Sequence, residues 1–87
     1  MKIEKSFVLR EIAGEYIIVP TGNTALDFNG LITVNEVGMF LWNLLQSEVT
    51  VEDLIRKTME EYEVDRETVK GDIEEFLEKL KTNGILN

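Results

Sequence analysis

Apolar residues come in short unbroken runs over the first third of the chain and at intervals of three and four from residue 36 onward. Runs of the first kind predict strands and spacing of the second kind predicts amphipathic helices. FVLREI (7–12) and EYIIVP (15–20) are β-branched and aromatic, with only Ala13 and Gly14 between them, which predicts a hairpin. YIIV is apolar on both faces whereas FVLREI carries Arg10 and Glu11, so the second run is the better central strand, ended at Pro20. After the turn-forming TGNTALDFNG, the run Leu31–Val34 predicts a third strand, antiparallel to the second. Everything beyond Val34 reads as helix, so the far side of this strand has no partner in the sequence. An edge of that kind must be covered, blunted or used.

Three helices follow, and each begins with the same device. Asn35, Thr50 and Asp65 are N-cap residue types. Each follows a valine (Val34, Val49, Val64) and is followed four positions on by an apolar residue (Met39, Leu54, Val69), the spacing of a hydrophobic staple. The first helix, 36–46, carries Val37, Phe40, Leu41, Leu44 and Leu45 on one stripe, with Met39 and Trp42 roughly 140–200° round from Val37 at about 100° per residue. Being apolar nearly all round, it is expected to be the most buried. The second, 51–62, turns Val51, Leu54, Ile55, Met59 and Tyr62 inward; the third, 66–83, turns Val69, Ile73, Phe76, Leu77 and Leu80 inward. Gly84 stops the third helix, and Ile85 and Leu86 are expected to fold back on the core. The fold class expected is α+β, winged helix-turn-helix-like, with a three-stranded antiparallel sheet followed by three helices, as one domain over residues 1–87.

Composition narrows the chemistry. With 87 residues, 44% of them hydrophobic, one core is sufficient to fold the chain. Cysteine and histidine are absent, so disulfide scaffolds, the usual zinc sites, thiol nucleophiles and imidazole acid/base catalysis are not expected. The opening MKIEKSFVLREI is charged from its second residue and has no signal-like or membrane-spanning apolar stretch, which points to a cytoplasmic protein with no membrane partner.

The formal charge is −8, unevenly spread: residues 1–35 carry three basic and four acidic side chains, the remainder six and thirteen. The helical half therefore repels phosphate backbones. With Asp65 at its cap, the third helix sets Arg66, Lys70, Lys79 and Lys81 against six carboxylates, unlike the basic stripe of a DNA-reading helix. Nucleic acid is not an expected partner.

The polar clusters suggest no catalytic chemistry. Glu60, Glu61, Glu63 and Asp65 gather at a helix end, and Glu74, Glu75 and Glu78 lie on the outer side of the third helix. Neither group has the spacing or glycine of a calcium loop, and both read as solvated surface. TGNTALDFNG lacks the GK[ST] ending of a phosphate loop and precedes a strand rather than a helix. No catalytic residue, metal or cofactor is expected, and the chain is not expected to be an enzyme.

Apolar surface and an open strand remain. Val69, Ile73, Phe76, Leu77 and Leu80 span roughly 100° of the third helix, wide enough for one flank to face the core while the other stays partly open. Each of the five suits a core position. Alternatively, Ile73 and Phe76 wall a groove beside the strand edge, where an extended peptide would gain main-chain hydrogen bonds and seat alternate side chains.

The order of elements, the strand LITV ending at its Asn35 cap, the following NEVGMFLWNLL, the TVEDLI opening of the second helix, and DIEEFLEKL with a terminal NGIL together resemble the PqqD-like family, over roughly residues 6–86. That family takes its name from the small chaperone of pyrroloquinoline quinone biosynthesis. The resemblance implies a recognition element for ribosomally made, post-translationally modified peptides. In such an element the leader region of a precursor peptide adds as an antiparallel strand to the third strand, beside the third helix. The peptide is thereby presented to a separate modifying enzyme such as a radical SAM maturase, a cyclase or a leader peptidase. By position, the implied peptide-binding residues are Leu31, Ile32, Thr33 and Val34 on the strand and Val69, Lys70, Ile73, Phe76 and Leu77 on the helix. Asp72 matches the aspartate of the family pattern D-[IV]-x-x-F-[IL] without an implied contact. PTGNTALDFNG is longer than the Pro-Glu-Gly turn of many members, so Leu26 and Phe28 either join the groove or fold over it. Two rival functions are a winged-helix transcriptional regulator and a scaffolding subunit that docks on its enzyme through the same edge.

Overall fold

The computed structural model describes residues 1–3, 6–21 and 32–86. Three strands, β1 (Phe7–Ile12), β2 (Glu15–Pro20) and β3 (Ile32–Val34), are followed by three helices, α1 (Glu36–Leu44), α2 (Val51–Glu61) and α3 (Arg66–Thr82). The sheet has the order β1-β2-β3, antiparallel throughout, so β2 is central and β3 lies at an edge, as the hydrophobic pattern predicts. Leu31, Leu26 and Phe28 lie outside the described residues.

The β1–β2 hairpin closes through Ala13 and Gly14, both at positive φ, 53° and 82°. Positive φ at both central residues matches the right-handed twist of the flanking strands. Ile12 thereby pairs with Glu15, and the ladder continues to Phe7 against Pro20. In the second ladder Tyr16, Ile17 and Ile18 face Val34, Thr33 and Ile32. Ile32 and Val34 consequently point into the core and Thr33 outward.

All three predicted caps are in place. The Asn35 side chain accepts from the Gly38 N–H at 2.8 Å, and Asp65 accepts from the Thr68 N–H at 2.8 Å. Thr50 and Asp53 form a reciprocal capping box: each side chain accepts from the other's backbone N–H, at 3.1 and 3.0 Å. These bonds satisfy amide groups that a helix start otherwise leaves unpaired. At the far end of α3, Ile85 N–H donates to Leu80 O at 2.9 Å and Gly84 N–H donates to Lys81 O at 3.1 Å, with Gly84 at φ 71°. That pair of bonds is a Schellman motif, and it returns Ile85 to the core beneath Leu80.

The core joins the inner sheet face to all three helices through Ile18, Ile32, Val34, Leu41, Trp42, Leu45, Leu54, Ile55, Val69, Ile73, Leu77, Leu80 and Ile85. Helix α2 departs from its expected face. Val51 and Met59 are exposed at 37% and 40%, and Thr58 is buried in their stead. Val51 opens the helix beyond the core's edge and Met59 sits at the margin of the stripe. Thr58 is tolerated inside because its hydroxyl donates to Leu54 O at 2.7 Å. At the N-terminus, the buried Ile3 bridges to Leu86 and donates its N–H to Leu45 O at 3.0 Å. Ile3 and Leu86 thus meet on the core. Among the described residues, no helix is long and apolar enough to cross a membrane.

Candidate functional site

A single residue, Asn35, separates β3 from helix α1, and Gly38 sets how closely the two pack. A Cβ at Gly38 would stand 3.0 Å from Val34 Cβ, 3.4 Å from Asn35 Oδ1 and 3.4 Å from Phe76 Cε1. The missing side chain lets the first turn of α1 lie against both β3 and α3.

Beside this contact a groove of about 340 Å³ opens between α1 and α3 at the end of β3. Its apolar lining is Val34, Val37, Gly38, Leu41 and Phe76; its polar rim is Thr33, Asn35, Asp72, Glu75 and Lys79. Phe76 is half-buried and packs against the core cluster while still facing the groove. An apolar trough with a polar rim, next to a sheet edge, can seat side chains of an extended chain whose backbone pairs with the strand. Among the described residues β3 pairs with β2 alone, and the C-terminal tail pairs with Ile3 instead.

The structure sorts the expected site residues into three positions. Thr33, Val34 and Phe76 meet at the groove. Ile32, Val69, Ile73 and Leu77 are 8%, 2%, 0% and 5% exposed and belong to the core that supports it. Lys70 is exposed, but at about 100° per residue it lies roughly 120° round α3 from Phe76 and about 160° from Asp72. It therefore projects from the opposite flank. Leu31 falls outside the described residues.

The groove also uses residues that the pattern alone did not single out. Asp72, Glu75, Phe76 and Lys79 occupy one flank of α3, within about 100° of arc, which gives Asp72 a place at the rim. The floor comes from α1, through Val37, Gly38 and Leu41. A sequence signal for it existed: Gly38 is a lone glycine inside an apolar helical pattern, which marks a close approach. Carboxylates of the groove flank hold no metal arrangement, and among the described residues no group of acidic side chains is placed to bind an ion.

Comparison with known proteins agrees with this architecture. The family model described as coenzyme PQQ synthesis protein D (PqqD) matches residues 15–86. No curated protein sequence matches the chain. Among solved structures, TbiB1 in complex with the TbiA(beta) leader peptide is similar at 29% identity, over 100% of this chain and 95% of that one, with a TM-score of 0.77. A lasso peptide synthetase B1 complexed with the leader peptide is similar in fold at 18% identity, over 97% of this chain and 93% of that one, with a TM-score of 0.73.

Proposed function

The chain belongs to the PqqD family, and from that premise we propose that it binds the leader region of a ribosomally synthesised precursor peptide and presents it to a separate modifying enzyme. The leader adds as an antiparallel strand to β3 and lowers alternate side chains into the trough beside α3. One observation carries the reading: an edge strand with no second partner among the described residues runs directly into an apolar groove walled by Phe76. The similar TbiB1 structure contains a leader peptide, which supports the same class of ligand here. Affinity comes from main-chain pairing and a few buried apolar anchors.

The role proposed is non-catalytic and cytoplasmic. The modifying enzyme, such as a radical SAM maturase, a cyclase or a leader peptidase, supplies the chemistry. Transcriptional regulation is disfavoured by the charge of −8 and by an α3 whose exposed carboxylates outnumber its cations. Titration of the isotope-labelled protein with a leader peptide, drawn from any short open reading frame adjoining its gene, tests the proposal. Amide signals of Ile32, Thr33, Val34 and Phe76 are expected to move while the hairpin tip stays still. Shifts confined to α2, or none at saturating peptide, would overturn it.

A further inference from the structure

We infer that the groove selects leaders in which a basic residue, preferably arginine, lies two positions from the apolar anchor, with Asp72 receiving its charge. The inference rests on the peptide-binding reading of the groove and names the class of peptide taken.

Among the described residues Asp72 enters no side-chain hydrogen bond or ion pair. It sits in the second turn of α3, too far along to cap the helix, and Asp65 already does so. Its helical neighbours at three and four positions are Thr68, Val69, Glu75 and Phe76, none of them a cation. Among the described residues the ion pairs are Met1–Glu48, Arg56–Asp53 and Arg66–Glu52, and Asp72 enters none. Glu75 enters none of these pairs either, but Lys79 stands four positions on, the spacing at which a glutamate and a lysine support each other. Among the described residues the rim thus sets two carboxylates, Asp72 and Glu75, against one cation, Lys79, and Asp72, which has no cation three or four positions away, lies one turn from the Phe76 ring. An arginine lying there would place its aliphatic stem and guanidinium plane along the ring and its donors on the carboxylate. Side chains two apart on an added strand share a face, so the apolar anchor and the arginine would both face α3.

Selection from a library of random 12-residue peptides displayed on mRNA tests this, with wild-type protein, Asp72→Lys and Phe76→Asp as parallel baits. Wild type is expected to enrich peptides with arginine or lysine two positions from an apolar residue, and Asp72→Lys to enrich glutamate or aspartate at that position. Asp72→Asn should weaken a selected arginine peptide about 3- to 5-fold, the size of an exposed charge pair. Enrichment of apolar anchors with no preference for a basic residue would overturn this inference and leave the groove assignment standing. No enrichment over the Phe76→Asp bait would overturn both. Asp72 is exposed, so matching thermal melts establish that its variants are folded.

Discussion

Val34 and Gly38 are in contact at the shortest distance a side chain would permit: a Cβ on Gly38 would lie 3.0 Å from Val34 Cβ. The groove depends on that contact, since it ties the end of the edge strand to the helix that floors the trough. Gly38→Ala sets two effects against each other. Helix propensity favours alanine by about 1 kcal/mol, while forcing atoms into a packed contact costs about 1–3 kcal/mol. Val34 Cβ is fixed to the backbone and cannot rotate away, so the contact should win. A net loss of about 1 kcal/mol in urea denaturation is expected, with weaker peptide binding; a stabilised variant would show that β3 and α1 separate easily.

Phe76→Asp tests the apolar wall. The side chain is half-buried, so the fold should survive with reduced stability, while binding of the cognate precursor falls below detection. Phe76→Ala is the milder companion, expected to weaken binding at least 10-fold, about 1.4 kcal/mol. Calorimetric titration with unchanged affinity for both variants would remove Phe76 from the site.

The hairpin tip provides a control remote from the groove. Ala13 is the only non-glycine at positive φ among the described residues, at 53°. An L-residue there carries strain of about 1–2 kcal/mol that glycine avoids and asparagine largely tolerates. Ala13→Asn should raise stability by about 0.5–1 kcal/mol without changing peptide affinity. A lowered melting temperature would mean that the turn has another conformation.

Acid sensitivity should originate at two caps. The Thr50 N–H, then the Arg56 side chain, holds the Asp53 carboxyl below its ordinary range; the Thr68 N–H, then its hydroxyl, does the same for Asp65. A carboxyl whose pKa is lower in the folded than in the unfolded state binds protons more readily once unfolded. Its contribution is therefore complete above the unfolded value near 4 and disappears as pH falls through the depressed folded value. Urea midpoints measured from pH 7 down to pH 2 should show wild type losing stability below about pH 4, and Asp65→Asn, which still caps but does not titrate, losing less. Parallel curves for the two proteins would assign the acid limb to other carboxylates.

The local rules of helix starts and stops were easy to read because they depend on few residues. Asn35, Thr50, Asp65 and Gly84 each act through their own backbone neighbourhood, and each stands where its residue type predicts. The order of the strands followed from Ile17 and Ile18 having apolar character on both faces. The groove was less legible, because helical period identifies a buried stripe but not a gap within it. Ile73 and Phe76 share that stripe, yet Ile73 is 0% exposed and Phe76 borders the trough. Asp72 and Lys70 are only two residues apart, and the pitch of the helix sends them to opposite flanks. Ile3, a single apolar residue among charges, gave no periodic signal; its burial depends on Leu45 and Leu86, both distant in sequence.

The central claim is that β3 accepts the backbone of another chain, and backbone methylation tests it most directly. A binding leader peptide, resynthesised with N-methyl groups at each position in turn, loses one main-chain donor at a time while keeping every side chain. Strand addition predicts loss of affinity at every second residue along the paired segment, because alternate N–H groups point toward β3. Equal tolerance at all positions, or a loss recurring at the three- to four-residue spacing of a helix, would contradict it.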